Sequence, residues 1–273
     1  MFEERTFRFL HRAFAALFIL YVVLPLAITA VVAFSDDNVV RFPIRGFSGR
    51  WFGVFFNDAQ WINAAWNSLQ IALITAAMSM VLALPASYAL ANGKKARPVL
   101  QTLLILPLFV PGVVLGISVA MGLGSINLFG YDLFGSRILV ACAHTLWALP
   151  LAITVLIPTF ETLDKSLMEA AGDLGASPLR AFFNVIMPVA MTGIVSAGLF
   201  AFITSLNEFI MALFLTTRDT QTLPVMLWLS LRSSATPQIA VASFVLAGSV
   251  FAAVGLAYAW FTLSRRRREA AAF

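Results

Sequence analysis

The sequence predicts an all-α membrane protein that crosses the bilayer several times. Composition is the first reason: 60% of the 273 residues are hydrophobic and 11% are charged, against about 45–50% and about 25% in a soluble domain. The second is arrangement, because the apolar residues gather in six long runs, Ala13–Phe34, Trp66–Ala91, Val99–Gly122, Ile138–Pro158, Val189–Leu215 and Ile239–Leu263. The third is charge placement, because all 18 Lys and Arg residues lie between or beyond those runs. A chain with this much apolar surface needs lipid as its solvent. Soluble enzymes, nucleic-acid binders and disordered chains are thereby excluded.

Each run is 21–27 residues long, and at about 1.5 Å rise per residue each can cross a core of about 30 Å. In lipid the backbone is satisfied only within helices or closed barrels. The runs lack the alternation of barrel strands, so helices are expected. The first run exceeds the apolar core of about 7–15 residues found in signal peptides and is expected to remain as a span. In the third, Pro107 and Pro111 predict a kink. Gly112 and Gly116, four residues apart, predict close helix contact. Cys142 is the only cysteine, so no intrachain disulfide and no cysteine metal-ligand spacing exist.

An even number of spans puts both ends on one side. That side carries Arg5, Arg8, Arg12, Lys94, Lys95, Arg97, Lys165, Arg180 and Arg265 to Arg268, twelve of the 18 basic residues. The other side carries Arg41, Arg45, Arg50, Arg137, Arg218 and Arg232. Positive charge is enriched on cytoplasmic loops, so both termini are expected in the cytoplasm. The basic run Arg265–Arg268 then reads as an anchor at the lipid headgroups. The outer stretch Ser35–Ala65, rich in Phe and Trp, is expected along the outer interface.

The longest gaps, Ser35–Ala65 and Thr159–Pro188, hold 31 and 30 residues. Neither can contain a nucleotide-hydrolysing domain. The only Gly-Lys pair, Gly93-Lys94, is followed by Lys95, so no phosphate-binding loop occurs. The cytoplasmic gap Thr159–Pro188 has a structure of its own. Asp164 is placed to cap a short helix over Lys165–Leu174, and Gly175 suits the left-handed residue that stops one. Ser177 and Pro178 then read as the cap and first position of a second helix running to about Met187. Leu167, Ala171 and Leu174 form one apolar stripe, and so short a helix needs that stripe buried, against its own bundle or in a partner's groove.

Glu169-Ala170-Ala171, three residues, Gly175, nine residues, and Val185-Ile186-Met187-Pro188 resemble the EAA signature of permease subunits of ATP-binding-cassette importers. The likeness extends over roughly Asn67–Leu263. It includes Leu84-Pro85-Ala86-Ser87-Tyr88-Ala89-Leu90-Ala91 and Leu106-Pro107-Leu108-Phe109-Val110-Pro111-Gly112, which look most like the spermidine/putrescine-type branch. The resemblance implies a type I importer permease fold with residues 66–265 as its core. Residues 1–65 would precede that core and 266–273 would form a tail. It implies a coupling helix, with Glu169, Ala170, Ala171, Asp173, Leu174, Gly175 and Pro188 engaging a separate ATPase. It also implies ATP and magnesium bound by two such ATPase subunits and no cofactor in this chain. A second, related permease, an extracytoplasmic solute-binding protein, an inner-membrane location and alternating access complete the set. An ion-gradient carrier is the rival class, but inverted repeats and several buried charges, its usual marks, are missing. Sugar, amino-acid-like or anion substrates on the same scaffold also stay open.

Glu208 is the only acidic residue inside a predicted span, and an ionisable group at such depth costs about 2.5–3.5 kcal/mol. Together with Ser205 and Asn207 it should face the bundle interior or a wet cavity. It either contacts a cationic solute or is a structural acid bonded across helices. His144 and Trp147, one turn apart in the fourth run, are candidates for the same pathway. Both also read as packing residues. No catalytic residue and no metal site is expected.

Overall fold

The computed structural model describes residues 2–270 apart from 94–96, 129, 165 and 234. At residues 2–6, 128, 131 and 264–270 only the backbone is described. Lys94, Lys95 and Lys165, counted above among the inward charges, lie outside the described residues. The chain divides into two units, Met1–Ile62 with Met226–Ser249, and Asn63–Val225 with Val250–Phe273.

Helix α1 covers Phe2–Ala33. Its apolar side chains, Phe14, Leu17, Phe18 and Tyr21 among them, are exposed, as suits a helix bathed in lipid. The stretch after it folds back on itself through a bridge between Ser35 and Phe47. Helix α2 (Arg50–Asn57) follows. In this first unit Phe34, Phe52 and Phe244 form an aromatic cluster, with ring centroids 4.8–6.4 Å apart. Phe55 and Trp61 are buried together at 5.8 Å. The aromatics expected merely to lie along an interface therefore build a small core.

Helix α3 spans Ala59–Asn92 and α4 spans Arg97–Ile105. A 3-10 turn, Leu106–Phe109, leads to α5 (Gly112–Gly122). A two-residue antiparallel pair, β1 (Asn127–Leu128) with β2 (Tyr131–Asp132), forms a small hairpin. Helix α6 (Arg137–Glu161) is capped by Ser136, whose Oγ accepts from Leu139 N. The segment 159–190 contains α7 (Ser166–Asp173), α8 (Pro178–Ala181), a π-helical turn (Phe182–Ile186) and α9 (Met187–Val189). Then come α10 (Met191–Asn207), α11 (Ile210–Leu215), α12 (Leu223–Ser233) and α13 (Gln238–Ala270).

Four helices among the described residues are long and apolar enough to cross a membrane, and up to six spans exist if each bent pair counts as one. The third run is not one straight helix. Arg97–Phe109 and Gly112–Gly122 meet at 97°, because Pro107 and Pro111 interrupt the hydrogen-bond ladder. The other bent pair is Pro178–Val189 with Met191–Asn207, which meet at 79°. Beyond it the fifth run is interrupted again, with Glu208 extended between α10 and α11. No Pro or Gly lies at this break.

Helix α6 is the post of the second unit, with 56% of its most apolar window buried. Towards one end Ile153, Leu156, Ile157 and Phe160 pack with Ala83, Leu90, Ile186, Ile194 and Ala197. Towards the other, Leu139, Val140 and Ala143 pack with Ile71, Met211, Leu215 and Val225. Near that second end buried Asn67 donates to the carbonyls of Asp219 and Gln221 at 2.9 and 3.1 Å. Its own Oδ1 accepts from Arg137 Nε at 2.8 Å. Asn67→Ala should therefore loosen the segment 216–222 at a cost of about 1–3 kcal/mol, the usual penalty for stranding buried polar partners. Faster proteolytic cutting there, with the helices intact, is the expected readout.

Candidate functional site

The loop that follows α6 is built locally. Asp164 Oδ1 accepts from Ser166 N at 2.9 Å and starts α7. Hydrogen bonds from the backbone and side chain of Ser166 hold the Asp164 carboxyl below the usual carboxylate range. That cap is thus present at neutral pH and is lost only as pH falls through the lowered value. At the far end Gly175 has φ +79. Ala176 N donates to Ala171 O at 3.0 Å and Gly175 N to Gly172 O at 2.8 Å, the paired bonds of a Schellman stop. Ser177 Oγ accepts from Arg180 N, and Pro178 opens α8.

Within this chain the apolar stripe is covered only in part: Leu167 packs partly and Ala171 is buried, while Leu174 is 88% exposed, as the alternative of a partner's groove allows. Leu174 sits past the last full turn, where the chain swings outward into the Gly175 stop. The expectation that needs correction is the second helix, which does not run evenly to Met187. Pro188 has no N–H to offer the carbonyl four residues earlier. The ladder ahead of it widens to the π register, in which Met187 N bonds Phe182 O.

Glu169, Ala170, Asp173, Leu174 and Gly175 are all exposed, while Ala171 turns inward. Behind them lies a cleft of about 570 Å³, lined by Tyr88, Asn92, Arg97, Glu161, Asp164 and Glu169 among others. Arg97 pairs with Glu161 across it. Tyr88 meets Phe160 and Phe182 edge to face, and Phe160 and Phe182 are tilted to each other, with centroids 5.0–6.3 Å apart. The π turn that follows the exposed turn is therefore packed through rings against two long helices.

A second polar cluster lies deep among the helices. His144 is fully buried and Glu208 is 5% exposed. His144 Nδ1 is 2.8 Å from Ser205 Oγ, and Nε2 is 3.1 Å from Glu208 Oε2. Glu208 also accepts from Met211 N at 2.9 Å and Ala212 N at 3.0 Å, capping α11. Ser205 reaches Thr75 at 3.1 Å, and Thr75 reaches Ala141 O. Trp147 Nε1 donates to Pro107 O at 3.1 Å. Asn207 is exposed and its Nδ2 donates to Ile203 O at 3.0 Å. Sequence reasoning missed Thr75, Arg97, Glu161 and the three rings. Thr75 was findable as a polar residue in an apolar run, whereas the ring cluster left no periodic signal.

The arrangement defines a class: a helical membrane protein with broken spans, an exposed Gly-stopped turn and a buried polar cluster. Residues 79–269 match the family of binding-protein-dependent transport system inner membrane components, and the chain belongs to that family. It is 27% identical over 248 residues to the putrescine transport system permease protein PotI of Escherichia coli, covering 90% of this chain and 87% of that one. It is 26% identical over 233 residues to the spermidine/putrescine transport system permease protein PotC of Haemophilus influenzae, covering 85% and 88%. Its fold matches a chain of a bacterial alginate ABC transporter solved with an alginate pentasaccharide-bound periplasmic protein. The TM-score is 0.71, identity is 15%, and 93% of each chain is covered. The protein is thus a permease subunit of an ATP-binding-cassette importer, a multi-pass protein of the bacterial inner membrane and not an enzyme. Permeases of this family work in assemblies that include a binding protein and ATPase subunits.

Proposed function

We propose that this permease forms half of the translocation pathway for a polyamine of the putrescine or spermidine kind, with a related, non-identical permease forming the other half. Residues 66–265 make the permease core, six spans cross the membrane, and both ends lie in the cytoplasm. Two ATPase subunits bind ATP and magnesium at the cytoplasmic face, and an external binding protein delivers the solute. The exposed turn with Glu169, Ala170, Asp173, Leu174 and Gly175 docks on an ATPase. Ala171 anchors it from within, and Pro188 sets the π turn that carries its motion to the spans. The solute path passes the break between α10 and α11, where Asn207 is exposed; Glu208, His144 and Trp147 shape that path from behind.

One observation supports this reading most: the exposed turn is stopped by Gly175 at φ +79, and the π turn that follows it is joined to α3 and α6 by Tyr88, Phe160 and Phe182. Such a projection has no use in a carrier that needs no motor. The polyamine assignment is supported by the names of the relatives PotI and PotC. The test is purification from native membranes followed by reconstitution with the accompanying subunits. An ATPase should co-purify, and labelled putrescine should accumulate only with ATP and the binding protein. Accumulation by this chain alone under an ion gradient would overturn the docking role. ATP-driven uptake of another solute, with putrescine failing to compete, would overturn the polyamine assignment alone.

A further inference from the structure

The two interrupted spans are fastened to one turn of one helix. Pro111 has no N–H for the carbonyl of Pro107, four residues earlier. Val110 N approaches that oxygen at 3.2 Å and the Trp147 indole at 3.1 Å, so α6 supplies a donor where the ladder of the third span fails. At the other break His144 reaches both sides, Ser205 in the last turn of α10 and Glu208 beyond it. Glu208 in turn takes the first free N–H groups of α11. His144 and Trp147 are three residues apart and thus share a face.

The half-helices that follow the two breaks also touch each other. A Cβ on Gly112 would come within 2.9 Å of Trp147 Cη2 and 3.4 Å of Ile210 Cγ2. A Cβ on Gly116 would come within 3.1 Å of Met211 Cα. The spacing that permits close helix contact thus seats α5 against α11, with Trp147 wedged at the corner. All three pieces, α5, α6 and α11, are held by contacts with no room for a methyl group and by hydrogen bonds shielded from water.

We infer that His144 and Trp147 are positioning residues: they splint both broken spans to α6, so that α5, α6 and α11 move as one block during alternation. They act on transport through this block and not by touching solute. The inference rests on the permease reading above for its transport consequence, while the splint itself is a property of the folded chain. Glu208 belongs to the same device, as the residue that closes the second break.

The test uses the purified complex with Trp147→Phe, which keeps a ring and removes the N–H, and Glu208→Gln, which keeps an oxygen acceptor. Amide hydrogen exchange should rise at residues 108–116 in Trp147→Phe and at 205–213 in Glu208→Gln, with residues 166–176 unchanged. In proteoliposomes the maximal uptake rate should fall about tenfold, equivalent to about 1.4 kcal/mol, with KM within about twofold of the parent. ATP consumed per solute should rise, and the paired variant should cost less than the sum of the two. A raised KM or altered solute preference with unchanged exchange would make these residues solute contacts and overturn the splint. Unchanged exchange and unchanged rate would overturn it as well. The exchange arm requires no transported solute, so loss of ATP-driven uptake by the parent complex would count against the permease reading while the splint is still decided.

Discussion

Replacing Gly175 with Val should abolish uptake while leaving the protein inserted and folded. Gly175 sits at φ +79 with no atom within 4 Å of where a Cβ would stand. The obstacle is therefore its own backbone and not a neighbour. A β-branched residue held there costs about 1–3 kcal/mol. At one or two kcal/mol a conformational ratio changes by about 5–30-fold. The Schellman bonds from Ala176 and Gly175 would open, and Leu174 would no longer project as it does. Since the turn is exposed, the helices behind it should keep their stability. Glu169→Lys should give the same loss by reversing a charge on the proposed docking face. Uptake and co-purification of the ATPase are the measurements, with insertion checked by membrane fractionation. Parent-level uptake in both variants would remove the turn from the coupling role.

Replacing Gly193 with Leu should instead cost the fold. A Cβ at Gly193 would fall inside the side chain of Thr159, whose Oγ1 already donates to Val155 O at 2.8 Å. The approach joins α10 to α6, the post of the second unit. Overpacking a filled contact costs about 1–3 kcal/mol and more when backbone must move. The expected result is little detergent-stable protein and early thermal unfolding. Even Gly193→Ala should be damaging. Moving the space across the contact, with Gly193→Ala and Thr159→Gly together, should recover most of the loss, because one helical glycine is exchanged for another. Equal stability of Gly193→Leu and the parent would show that the two helices can separate there.

These two glycines illustrate what a sequence discloses. Gly175 follows a capped, amphipathic stretch and precedes Ser177-Pro178, so its stop role could be read from local chemistry. Gly193 stands alone in an apolar run, and only the neighbouring helix explains it. The same division holds for the breaks. Pro107 and Pro111 announce the first, because a missing N–H is a property of the residue itself. Nothing local announces the second, because it is made by Glu208 leaving the ladder to accept from Met211 N and Ala212 N beside His144. Four helices long and apolar enough to span were legible from apolar length, and the helix caps in the loop from Asp164 and Ser177. The placement of Leu174, the π turn before Pro188 and the Tyr88–Phe160–Phe182 cluster depend on packing between distant segments.

The occupied state of Glu208 bears on how such an importer chooses its cargo. Both of its oxygens are already taken by backbone N–H groups, and an imidazole stands beside one of them. On the proposed pathway, recognition would then be set upstream, by the receptor that hands solute over. Supplying the same gate with a different compatible receptor should readdress the importer without a change in this subunit.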